Sequence, residues 1–84
     1  MPIMRAKLMV SKVEPYGELN ECQHVEMHPV CGAAPFGPNG ESEDNTFSRW
    51  TPTGSLTLTI TNPDLKEKIV AGQKFYVDFS EAAE

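Results

Sequence analysis

Cys22, His24, His28 and Cys31 are the residues best suited to chemistry, in the pattern C-x-H-x3-H-x2-C. Thiols and imidazoles are the ligand types of zinc sites. Whether they converge depends on the backbone that carries them. A helix would bring His24, His28 and Cys31 onto one face, but Pro29 falls where a helix still needs a backbone donor. In an extended chain, at about 3.3 Å per residue, the two histidines stand about 13 Å apart, too far for one ion with bonds near 2 Å. Extension leaves Cys22 and His24 on one face about 6.6 Å apart. That thiol and imidazole lack an orienting third group and an oxyanion loop. The segment is therefore expected to hold no metal, no cofactor and no catalytic residue, and an enzyme is not expected.

A second cluster follows. Residues 39–45 (NGESEDN) space oxygen groups at alternate positions, as calcium loops do, without the fixed glycine and the distant bidentate glutamate of such a loop. They read as a solvated acidic loop. Phe36, Phe47 and Trp50 bracket it, with Arg49 between the last two. Aromatic and arginine side chains dominate protein-binding hot spots; the same aromatics could also pack as a satellite of the core. Phe36, Phe47, Arg49 and Trp50 are the expected partner contacts, with Tyr76 and Asp78 on the outward face of the last strand.

The elements that must position these residues show in the alternation of apolar and polar types. Met4, Ala6, Leu8 and Val10 alternate with Arg5, Lys7, Met9 and Ser11, and Val13 extends that strand only after a slip in register. Pro15, Tyr16 and Gly17 should turn the chain. Residues 21–31 are expected to be a strand antiparallel to the first across a turn at 17–20. Residues 32–45 should form a long loop, 46–51 (TFSRWT) a short strand or edge, and 52–54 a turn. Leu56, Leu58 and Ile60 share one face of a strand at 55–61, and Phe75, Val77 and Phe79 one face of a strand at 74–79. Between them Asn62 can cap a helical turn with Pro63 at its first position, covering one end of the fold, and Gly72 should end that excursion. The tail, 80–84, is polar. The expectation is one mainly β domain over residues 1–84: a small barrel or two-layer sandwich, with one short helical turn and one long loop.

Composition narrows the function. With 84 residues the chain buries only about 60% of its unfolded surface, so stability is marginal and a partner can supply part of it. Seven Lys and Arg against twelve Asp and Glu give a net charge of -5, which would repel a phosphate backbone. Nucleic acid is a poor ligand for such a surface. No apolar run reaches the roughly 20 residues that span a bilayer, and 1–10 lacks the order of a signal peptide. A cytosolic chain with two reduced thiols is expected.

The run EDNTFSRWTPTGSLTLTITNP at 43–63, with GQKFYVDF at 72–79, resembles small acidic proteins encoded by tailed bacteriophages and prophages. The opening MRAKLMVSKV is similar more loosely. The resemblance implies a phage origin and carries over no catalytic residue. Given that origin, the expected role is a virion protein, a capsid decoration or cement protein. Its partner would be the major capsid or another virion protein, and its place the virion, reached through the host cytoplasm. Self-association stays open. The alternatives are a binder or inhibitor of a host protein, and an OB-like single-stranded nucleic-acid binder.

Overall fold

The structure is a computed structural model; it describes every residue except Met1, Asn20, residues 32–34, Lys66 and Glu84. Those residues belong to the expected hairpin turn, the start of the long loop, the helical segment and the tail, and these parts of the expectations lie outside the described residues. Four antiparallel strands form a single sheet that curls into a half-barrel. They are β1 (Met4–Tyr16), β2 (Cys22–Pro29), β3 (Leu56–Ile60) and β4 (Lys74–Phe79), in the order β3-β2-β1-β4.

The slip in β1 is a β-bulge. Val10 opposes Met27 and Lys12 opposes Glu26, which leaves Ser11 as the extra residue. Its hydroxyl donates to the Glu26 carbonyl at 3.1 Å and lies 2.9 Å from His28 Nδ1. The physical reason is spacing. Val10 and Val13 are three apart, so both can face the core of a strand of period two only if one residue is absorbed between them. A bulge also increases local twist, which suits a curled sheet. Strand β1 runs through Pro15 and Tyr16, so the chain turns one step later than expected, at Gly17.

One face of the sheet is apolar. Its buried centre is Ala6, Leu8, Val10, Val25 and Met27, flanked by half-buried Val13, Leu56, Ile60, Phe75 and Val77. The register stacks these residues in rows: Leu8 pairs with Phe75, Ala6 with Val77, Val10 with Met27, and Val25 with Leu58. Two pieces of irregular chain cover that face, Phe47 and Ile69. Among the described residues no second sheet packs on that face, and these two side chains cover part of it.

The excursion between β3 and β4 begins as expected. Asn62 Oδ1 accepts from the Asp64 amide at 3.0 Å, and Pro63–Leu65 makes one 3-10 turn. That turn buries nothing; Ile69, further on, reaches the core. Gly72, at φ 95, donates its amide to the Val10 carbonyl at 2.8 Å and returns the chain to the sheet. A residue with a Cβ would be strained in that conformation.

Candidate protein-binding site

Segment 46–51 is a chain of turns and bends, not the expected strand. The reason lies in what its first residues bond. Strand β2 ends at Pro29, opposite Leu8; the Val30 amide still donates to the Lys7 carbonyl at 2.9 Å, which leaves the Lys7 amide and the backbone groups of Arg5 to be paired on that edge. Asn45 and Thr46 occupy it. Asn45 Oδ1 accepts from the Lys7 amide at 2.8 Å, while its Nδ2 donates to the Val30 carbonyl at 2.8 Å. Thr46 donates its amide to the Arg5 carbonyl at 2.9 Å, and its hydroxyl accepts from the Arg5 amide at 2.7 Å. Asn45 is 2% exposed, a buried amide with both ends used.

Side chains on the outer face hold the same segment. Tyr76 Oη donates to Asp44 at 2.9 Å, Lys7 Nζ lies 3.4 Å from the other Asp44 oxygen, and Arg5 binds Asp78 through Nε at 2.7 Å and Nη2 at 3.2 Å. The Arg5 guanidinium lies 4.7 Å from the Tyr76 ring centre. The Tyr76 hydrogen bond first, then Lys7, holds the Asp44 carboxyl below its ordinary 3.8; the hydrogen bond from Arg5 does the same for Asp78. Tyr76 and Asp78 thus face outward as expected; Tyr76 holds the loop through Asp44, while Asp78 ties β4 to β1 through Arg5.

From this anchor the chain displays its aromatics. Phe47 turns inward and packs on the core, so it is separated from the other three expected contacts. Arg49 is exposed, and Trp50 is 57% exposed. Trp50 has φ 60, the left-handed region that a bulky residue enters only when its surroundings hold it there. Those surroundings are visible. Its amide donates to the Gly40 carbonyl at 2.8 Å, and its ring lies against Gly40, where a Cβ would sit 2.6 Å from the indole. Phe36 meets the indole edge to face at 5.9 Å between ring centres. Pro52, just beyond, is buried. Phe36 and Trp50 are therefore a pre-set aromatic pair, with the exposed Arg49 next in the chain to Trp50.

The other chemical candidates are dispersed. Strand β2 holds Cys22, His24 and His28 extended; His24 Nδ1 lies 3.1 Å from the Thr59 hydroxyl, and His28 turns to Ser11. Both cysteines are free, Cys31 exposed beyond the strand end. Among the described residues no three His, Cys, Asp or Glu side chains group to hold a metal ion. Residues 39–45 spend oxygen groups on the protein itself: Glu41 accepts from the Asn39 amide at 2.9 Å, Ser42 from the Asp44 amide at 3.3 Å, and Asp44 and Asn45 bond Tyr76 and Lys7 as above. An open depression of about 360 Å³, lined by Arg5, Glu43, Thr46 and Asp78 among others, contains the Arg5 and Asp78 pair already described.

Two residues of the site were not legible in advance. Asn45 reads locally as the end of a solvated acidic run, and its bond partner Lys7 lies 38 positions away. Gly40 reads as one more loop glycine. A short side chain with both a donor and an acceptor, followed by Thr and an aromatic, is the only local signal of an edge cap. Comparison of the chain with protein-family models, curated proteins and solved structures finds no match.

Proposed function

We propose that this protein is a non-enzymatic virion component, a decoration or cement protein that binds at junctions between capsid subunits through Trp50, Arg49 and Phe36. The observation that carries the reading is Trp50, exposed yet at φ 60, on a loop bonded to β1 through Asn45 and Thr46 and closed by the Trp50 amide on the Gly40 carbonyl. A rigid aromatic loses little conformational freedom on binding, and tryptophan and arginine are the types on which binding energy concentrates. Phe47 serves the display from below, as the loop's anchor in the core. The phage setting rests on the resemblance of residues 43–63 and 72–79.

Size supports the same reading. The accessible surface is 6196 Å², whereas a compact chain of 9.3 kDa would expose about 5,000 Å². A chain that leaves so much surface open gains stability from whatever covers it. A nucleic-acid ligand is disfavoured, since Arg5, Lys7 and Lys12 are already paired with Asp78, Asp44 and Glu14. Mass spectrometry of purified particles of the encoding phage tests the proposal. The chain should be present at many copies per particle; its absence from particles that contain the other head proteins would sink the virion role and favour a host-protein target.

A further inference from the structure

The outer edge of β4 is an open sheet edge whose sequence is complementary to itself. Strand β4 pairs with β1 on one side, and among the described residues no strand pairs with it on the other. The Val10 amide donates to the Gln73 carbonyl at 2.8 Å, so Gln73, Phe75, Val77 and Phe79 turn their backbone groups toward β1. Lys74, Tyr76 and Asp78 then present theirs outward, a row of unpaired donors and acceptors of the kind that accepts another strand.

We infer that β4 pairs antiparallel with β4 of a second copy, about a two-fold axis at Tyr76, making one continuous eight-stranded sheet. Residues opposite each other in such a pair share a face, so the axis must pass through a residue rather than between two. Centred on Tyr76, the register sets Lys74 opposite Asp78 of the second copy, Phe75 opposite Val77, and Tyr76 opposite Tyr76. These are an opposite-charge pair, an aromatic and β-branched pair and an aromatic pair, the three kinds that favour cross-strand contact. Centred on Val77, the same strand would set Lys74 against Ser80 and leave the charges unmatched. Among the described residues Lys74 meets no carboxylate within its own chain, whereas Asp78 already holds Arg5.

Two further observations select a second copy. Strand β3, the other edge, carries no charge in LTLTI and so nothing that fixes a self-pairing register. The accessible surface exceeds that of a compact chain of this mass by about 1,200 Å², more than the roughly 800 Å² that each partner buries in a standard interface.

Charge reversal tests it. Sedimentation velocity of the wild-type chain should show a monomer–dimer equilibrium that shifts with concentration. Lys74→Asp and Asp78→Lys, each alone, set like charges opposite each other and should weaken self-association by on the order of ten-fold or more. An equimolar mixture of the two variants should dimerise again, because both cross-axis pairs are then of opposite sign. Since Asp78→Lys also releases Arg5, circular dichroism must confirm its fold. Hydrogen exchange on the wild type supplies an independent reading: the Lys74, Tyr76 and Asp78 amides should slow as concentration rises. A wild type that stays monomeric, variants that dimerise as the wild type does, a folded mixture that stays apart, or exchange independent of concentration would overturn the inference.

Discussion

At the residue scale, the loop stands or falls with Asn45. Its amide satisfies a donor on β1 and an acceptor beyond β2, so Asn45→Ala leaves the Lys7 amide and the Val30 carbonyl without these partners. The expected loss is about 1–3 kcal/mol in chemical denaturation, with the emission of the single Trp shifting as the loop comes free. The ion pairs act at the same scale. Asp44 and Asp78 have carboxyls held below their ordinary 3.8 in the folded chain, by the Tyr76 hydroxyl and by Arg5. A carboxylate of depressed pKa contributes fully above its unfolded value and loses that contribution as pH falls through the folded one. The melting temperature should therefore drop as pH falls below about 4, and Asp44→Asn with Asp78→Asn should flatten the drop. These contacts were legible only in part. Alternation in KFYVDF places Tyr76 and Asp78 outward, but no local pattern says that Asp44, 32 positions from Tyr76, folds back to meet it.

At the element scale, the four strands could be read from period-two alternation, and the bulge from the three-residue interval between Val10 and Val13. The β1–β2 hairpin followed from Pro29 excluding a helix. What resisted reading was the segment 46–51. Thr46, Phe47 and Trp50 have strand-like propensities, yet hydrogen bonds to Arg5 and the left-handed backbone at Trp50 take precedence over them. Among the described residues the buried core holds five apolar side chains, which makes each one costly to trim. Val25 is fully buried at the crossing of β1, β2 and β3, so Val25→Ala should cost about 2 kcal/mol and lower the melting temperature by about 10 °C. Leu58→Ala, on the same face but 46% exposed, should cost clearly less, and thermal unfolding of the pair measures the difference.

At the scale of the whole molecule, the chain is spread rather than round. Its radius of gyration is 14.9 Å, against about 12 Å for a compact domain of this length, and it extends 50 × 32 × 17 Å. A single curled sheet, with no second sheet packed on its apolar face among the described residues, accounts for both numbers, and for the surface left open. Composition foretold a marginal core; it did not foretell that one sheet would carry it, with Phe47 and Ile69 packed on it from irregular chain. The proposed function draws on that geometry, in which a loop bonded to β1 leaves Trp50 exposed. Co-sedimentation with capsids of the encoding phage that lack the chain measures this most directly. The wild-type protein should bind to saturation at a fixed ratio, and Trp50→Ala, with an unchanged melting temperature, should bind at least ten-fold more weakly, about 1.4 kcal/mol or more. Capsids that bind neither protein, or both equally, would contradict the account.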